Sequence, residues 1–395
     1  IFHTSVRHNL TLYQDCSDSL LISTLKKVGL WEACCHQLDY ELTGDNFSGG
    51  QIIKLEIARA ILRGKQVLLA DEMMASLDAA SSKEISNVLK QLPNSIIEIA
   101  HHYNLEDYDG FFIFDADNLL DENYIAEMNK TFNDGYDAVT SYRNSKNFGD
   151  NWISHGYGLW FLHEAQFLNR GRMRTGNSCM VSGTGYMISR ELIEKNDGWK
   201  FFLLTEDIEF TADCIANGVK IGYCEHAEFF DEQPTKFSVS WHQRMRWVKG
   251  YFQVYKKYGR QLLSKVGKKG GFSCFDMLMS NLPAFILTMV ATFAGLTLTI
   301  LALLTAQDSV SALLCVGKFT VNTSAAMLVL GIYTTLTEWK HMHMAWYKKI
   351  GYMFTFPIYM LTYIPIAFVA MFKKVEWKPI AHGSRTAKPV RRIAS

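Results

Sequence analysis

Hydrophobic and polar positions change rhythm several times along this chain. After Asn46–Gln51, apolar residues recur at helical spacing through Ile53, Ile57, Ala60 and Ile61, which predicts a turn feeding a helix. Val67-Leu68-Leu69-Ala70 is an unbroken apolar run that stops at Asp71-Glu72, the pattern of a buried strand ending in two carboxylates. A helix through Ile85, Val88 and Leu89 follows, then a second strand, Ile96–Ala100, with His101 at its tip. Phe111–Phe114 reads as another all-apolar strand, ending in Asp115-Ala116-Asp117. Gly183-Thr184-Gly185 precedes a strand at Tyr186–Ile188, and Thr205-Glu206-Asp207 opens a helical run containing Ile208 and Phe210. Strands alternating with helices make the expected class α/β. Beyond residue 275 the pattern becomes continuous. Leu282–Thr305, Val310–Thr335 and Tyr352–Phe372 each approach the roughly 20 apolar residues that cross a bilayer. Three transmembrane helices are expected over 276–372, with Lys318 snorkelling to an interface and a basic tail at 373–395.

Composition adds limits. The chain has 395 residues, enough for two or three domains, and a net charge of +1, which gives no reason to expect nucleic acid as a partner. Its eight cysteines include no CxxC pair, so they read as small core hydrophobes in a reducing compartment. Ile1–Leu10 has no signal-peptide character and no initiator Met, so the sequence looks cut into.

Paired carboxylates at a strand end suit a metal-bound water and a base for it, and a helix N-terminus suits phosphate. Alone, each such feature is as often a solvated strand end or an ordinary cap. In this order and spacing, residues 1–107 resemble the C-terminal half of the nucleotide-binding domain of an ABC exporter. The resemblance makes Ser48-Gly49-Gly50-Gln51 the signature motif, Asp71 the Walker B aspartate and Glu72 the catalytic base. Asp78, in Ser76-Leu77-Asp78, becomes the D-loop aspartate, and His101 the switch histidine. Met73-Met74 departs from the Pro-Thr usual there. No GxxxxGK[ST] loop occurs in the chain, so ATP is expected only if this fragment pairs with a complete ABC domain.

From residue 108 the chemistry differs. Asp115 and Asp117 can reach one divalent ion, although Asp-x-Asp by itself mostly marks a solvated turn. Glycines around Thr184 permit a tight turn near a ligand. Thr205 can cap the helix that Glu206 and Asp207 begin, and Asp207 can also serve as a base. Gln243-Arg244-Met245-Arg246-Trp247 offers guanidinium groups for phosphate and an indole for a sugar face, or a helix at a membrane interface. Together these four motifs resemble the inverting family 2 membrane glycosyltransferases, the relatives of cellulose, hyaluronan and chitin-oligosaccharide synthases. Trp377-Lys378-Pro379-Ile380 and His382 look like the tail motif of bacterial members.

That resemblance implies a GT-A (Rossmann-like) domain over 108–275, lacking its N-terminal half, and a nucleotide-sugar donor, in all expectation a UDP-sugar. It implies Mg²⁺ or Mn²⁺ at Asp117, with Asp115 beside it on the diphosphate. Asp207 becomes the base, shaped by Thr205 and Glu206. Gln243, Arg246 and Trp247 hold the diphosphate and the acceptor end, and Gly183–Gly185 line the side of a glycan acceptor. Trp152, Trp160 and Trp199 are candidate sugar platforms, core packing being the alternative for each. A multi-pass protein of the bacterial plasma membrane is expected, its catalytic part cytosolic and the lipid bilayer its partner. Three spans, however, leave the basic tail outside, against the positive-inside rule, so one stretch could be interfacial. Asp107–Asp115 suits either parent, and no Gly/Ser-rich linker separates them. The expectation is a chimera of two truncated domains rather than a bifunctional enzyme.

Overall fold

A computed structural model describes residues 2–43, 46–65, 67–74, 77–92, 95–99, 105–268, 270–281, 293–295, 297, 298, 300, 301, 304 and 309–376. The chain divides into two compact units, Ile1–Asp109 and Gly110–Ser395.

The first unit contains α1 Val6–Thr11, α2 Asp18–Lys27, α3 Gly49–Leu62, β1 Val67–Asp71, α4 Ala79–Lys90 and β2 Ser95–Ile99. β1 and β2 pair in parallel from Val67↔Ser95 to Asp71↔Ile99, with α4 supplying the crossover that parallel strands require. Leu21, Leu25, Leu55, Ile57 and Ile85 form the centre of its core. Ser48 and Gln51 close a reciprocal capping box on α3. Asp78 caps α4, accepting the Ala80 and Ser81 N–H groups at 3.0 and 2.9 Å. The expected buried strand is buried on one face only. Ala70 is buried, whereas Leu69 is 77% and Ile99 61% exposed, because core residues pack against a single face of this two-stranded sheet. Ser76 and His101 lie outside the described residues.

In the second unit five strands form a mixed sheet. They are β3 Gly110–Ile113, β4 Leu119–Leu120, β5 Ala138–Ser145, β6 Tyr186–Ser189 and β7 Ile221–Asp231, ordered β3-β6-β5-β7-β4. Only β5 and β7 run parallel, with a register shift at Ser141/Tyr142. The interspersed helices are α5 Tyr124–Asn133, α6 Trp152–His163, α7 Arg170–Arg174, α8 Arg190–Lys195, α9 Glu206–Ala216, α10 Phe237–Leu263 and α11 Phe272–Asn281. A π-helical stretch, Glu164–Asn169, joins α6 to α7. β5 is buried almost throughout, as a central strand should be. Its neighbours Tyr157, Tyr186, Phe201 and Phe210 fill the main core.

Ser309–Thr337 is helical, as are Trp346–Met353, Phe356–Leu361 and Tyr363–Phe372. Among the described residues no single helix is long and apolar enough to cross a membrane. Trp346–Met353 and Phe356–Phe372 qualify as a pair, bent by 45°. Most of Leu282–Thr305 and the tail from 377, with Trp377–Ile380 and His382, lie outside the described residues. Phe356 and Tyr359 belong to the main core, and Ile366, Ala367 and Ala370 pack against Met245 and Val248 of α10.

Candidate active site

The acidic end of β3 and the glycine turn before β6 meet because β3 and β6 are neighbours in the sheet. Asn118 N–H closes a turn onto the Asp115 carbonyl at 2.9 Å. Asp115 N–H is shared between Thr184 Oγ1 at 2.9 Å and Asn118 Oδ1 at 3.1 Å. Thr184, itself buried, donates its hydroxyl to the same Asn118 oxygen. Gly185 N–H donates to the Ile113 carbonyl at 2.9 Å. Gly185 has φ +70, and a Cβ there would stand 2.1 Å from the Phe229 ring, so only glycine fits.

Asp207 enters from the first turn of α9. A Cβ on Gly183 would lie 3.9 Å from Asp207 Oδ2 and 3.8 Å from Arg143 Nη1, so these two groups flank the glycine turn. Burial pushes the Asp207 carboxyl up to about 7, and the adjacent Glu206 charge adds to this. The Ile208 and Gly183 N–H groups and Arg143 pull the other way. Glu206 is exposed. Thr205 occupies the cap position without capping: its buried Oγ1 has no hydrogen-bond partner. α10 packs closely here: a Cβ on Gly250 would stand 2.4 Å from that hydroxyl. Glu209 is structural, accepting the Phe202 and Leu203 N–H groups at 2.9 Å each.

Asp117 is anchored from the far end of β7, accepting the Glu232 N–H at 3.3 Å with Lys146 Nζ 3.6 Å away. Gln243, Arg246 and Trp247 share α10 with Gly250. Gln243 Oε1 and Arg246 Nε are buried without a hydrogen-bond partner, polar atoms that a ligand can satisfy. Trp247 stands edge-on to Tyr157 and Phe161, with ring centroids 5.6 and 6.2 Å away. Arg244 is buried and donates to the Tyr359 carbonyl and Thr362 Oγ1. Of the tryptophans, Trp152 and Trp160 pack on the main core, and Trp199 stacks on Phe210. Asp71 and Glu72 are exposed in the first unit, where Ser48–Gln51 and Asp78 start helices.

Sequence reasoning missed Arg143, Glu164, Ser182 and Asp231. Arg143 donates to Asp231 through Nε at 3.0 Å and through Nη2, and to the Ser182 carbonyl and hydroxyl through Nη1 at 2.7 and 3.1 Å. Its guanidinium lies over the Phe161 ring at 3.7 Å. Ser182 Oγ donates to Glu164 at 3.2 Å. Asp231 had a signal: Phe229-Phe230-Asp231 is an apolar run ending in a carboxylate, the pattern that singled out Asp115. Arg143 had none.

The family model described as Glycosyl transferase family group 2 matches residues 110–372, about two thirds of the chain. The chain belongs to this family. The match begins at the first residue of the second unit. This glycosyltransferase is similar to the "Probable glycosyltransferase YdaM" of Bacillus subtilis (strain 168), 27% identical over 215 residues, 46% of this chain and 51% of the relative. It is also similar to the "Phosphate import ATP-binding protein PstB 1" of Streptococcus thermophilus (strain CNRZ 1066), 32% identical over 162 residues, 38% of this chain and 58% of that protein. The chain thus spans between half and three fifths of the length of these curated relatives. Among solved structures, "Mannosyltransferase PcManGT from Pyrobaculum calidifontis in complex with GDP-Man and Mn2+" is 14% identical, with 78% of this chain and 77% of that one covered. Its TM-score is 0.40, a likeness too distant to carry detail. The mixed sheet with an acidic strand end is the GT-A-like α/β arrangement of a family 2 glycosyltransferase.

Proposed function

We propose that residues 110–372 transfer a sugar with inversion from a nucleotide-sugar donor, a UDP-sugar in this reading, to a β-linked polysaccharide or other glycan at a membrane. The observation that carries the proposal is the glycine turn Gly183–Gly185, with Asp115 hydrogen-bonded to one part of it and Asp207 facing another. In this mechanism the Asp207 carboxylate takes the proton of an acceptor hydroxyl as that oxygen attacks the anomeric carbon. The bond from carbon to the diphosphate oxygen breaks on the opposite face, and its electron pair leaves with the nucleoside diphosphate. A burial-raised carboxyl is matched to this work near neutral pH. Arg246 and Gln243 offer their unpartnered atoms to the diphosphate, and Trp247 walls the acceptor side.

Asp117 would hold Mg²⁺ or Mn²⁺, with Asp115 beside it on the diphosphate, and the ion would supply charge neutralisation for the leaving diphosphate. The donor chemistry fits, since both metals prefer carboxylate oxygens. No group of three or more His, Cys, Asp or Glu gathers among the described residues. One or two carboxylates with the remaining positions left to phosphate and water is the usual arrangement for Mg²⁺. The bent pair Trp346–Phe372, together with the apolar run 282–305, supports the membrane setting.

The first unit favours a second, separate reading: a half-site for ATP held by another subunit. The 14-residue helix starting at the Ser48–Gln51 motif supports it. In the transferase reading, Asp207→Asn lowers kcat on the order of 10³-fold while donor binding persists. Radiolabelled sugar transfer alongside donor-binding calorimetry checks this. An Asp207→Asn protein that transfers sugar at the original rate overturns it.

A further inference from the structure

We propose that Arg143 is a positioning residue for the Asp207 base: it fixes the Ser182–Gly183 turn against Asp207 and sets a cation beside its carboxylate. The inference rests on Asp207 being the base, but its geometry stands apart from that. Arg143 follows the register shift at Ser141/Tyr142 in β5, and Asp231, its partner, ends the parallel neighbour β7. From there the guanidinium reaches three directions at once. Nε and Nη2 grip the Asp231 carboxylate, Nη1 holds both the carbonyl and the hydroxyl of Ser182, and the flat face rests on Phe161. A guanidinium that chelates one carboxylate oxygen, holds a second residue and stacks on a ring is a rigid fixture, which a flexible ammonium does not reproduce.

What it fixes is the residue before Gly183. Gly183 presents its N–H to Asp207, and its open Cα lets Arg143 and Asp207 approach from either side. If the Ser182 carbonyl swings, that N–H swings with it, because one peptide chain carries both. The charges around Asp207 are unequal. Glu206 adjoins it on α9, Tyr186 of β6 and Tyr251 of α10 sense its charge, and Arg143 is the cation that acts on it. Behind Arg143 stand two further carboxylates, Asp231 and Glu164, the latter bonded to Ser182 in the π-helical stretch. Without the guanidinium, Asp207 loses this cation, while Glu164 keeps Arg172 and Asp231 keeps Lys146.

The test compares Arg143→Met and Arg143→Lys with the unaltered full chain in pH-rate profiles of sugar transfer. The expected result for Arg143→Met is an acid-limb midpoint raised by on the order of 1 pH unit. Its kcat falls about 10–100-fold with little change in donor KM, and Arg143→Lys partly restores the midpoint. An unchanged midpoint with a raised donor KM overturns the proposal, because Arg143 would then be binding the donor; so does a profile identical to the unaltered chain. If the unaltered chain transfers no sugar, the transferase reading is what has failed, and thermal melts decide the positioning role. The shift in Tm between pH 5 and pH 8 is measured for Arg143→Met against the unaltered chain, and for Arg143→Met/Asp207→Asn against Asp207→Asn. Asp231 and Glu164 also feel Arg143, so positioning predicts that Arg143→Met adds more pH sensitivity where Asp207 is present than where it is Asn. Equal effects in both backgrounds overturn it.

Discussion

Below about pH 7 the Asp207 carboxyl carries a proton, because burial and Glu206 both disfavour its charge. A general base must be unprotonated, so kcat/KM is expected to fall about tenfold per pH unit on the acid side of that midpoint. The linkage to stability has the opposite sense to the usual surface carboxylate. An unfolded aspartate titrates near 3.9, as model peptides do. The folded protein therefore binds a proton more tightly than the unfolded chain, and its stabilising effect is complete below about pH 4. That stabilisation is lost as pH rises towards about 7, the folded value. Melting curves across this window should show Tm declining more steeply for the unaltered chain than for Asp207→Asn. A flat difference would mean that Asp207 is ordinarily hydrated. At this scale the motif aspartates, the glycines and the α10 triplet were legible because their spacing survives in one dimension. Arg143 was not, since an arginine inside a strand looks like any solvated residue until Asp231 and Ser182 are brought to it.

Between elements, the glycine turn is the piece that lets three loops meet. Gly185 combines φ +70 with a prospective Cβ contact of 2.1 Å to Phe229 of β7. Gly185→Ala is expected to cost about 2–4 kcal/mol, summing a left-handed backbone penalty with core overpacking. Chemical denaturation of the transferase unit measures it, and a cost under about 0.5 kcal/mol, the range of an ordinary surface substitution, would show that the turn relaxes freely. Element types were readable: β1, β2, β3 and β6, with the helices at Gly49, Ala79 and Glu206, fall where the apolar runs placed them. The role of Thr205 was not, because a cap hydroxyl and a threonine pressed by Gly250 have the same sequence. The two described apolar stretches, Val310–Thr335 and Tyr352–Phe372, are largely helical, yet the sequence did not say how each is used. One face of Tyr363–Phe372 is spent on α10, through Ile366, Ala367 and Ala370, and periodicity cannot say whether an apolar face meets lipid or protein.

For the whole molecule, the family match and the division into compact units agree to within one residue, at Asp109 and Gly110. Each unit has its own hydrophobic core. We propose that the junction joins parts of two parental proteins. Trypsin would release the seam as a single peptide, residues 91–130, between Lys90 and Lys130. Mass spectrometry of protein from its native source is expected to find peptides of each unit at unrelated abundance and none across the seam. A 91–130 peptide as abundant as its neighbours would establish one continuous polypeptide. By itself the sequence determined the α/β class and where the strands and helices that carry the motifs fall, because local periodicity is a property of neighbouring residues. Only the tertiary structure decided that Asp115 and Asp207 share one turn, that Arg143 braces it and that Trp247 packs edge-on against the core. Those facts depend on strand order, β3 beside β6 and β5 beside β7, and pairing between distant segments is set by the packing of the whole chain.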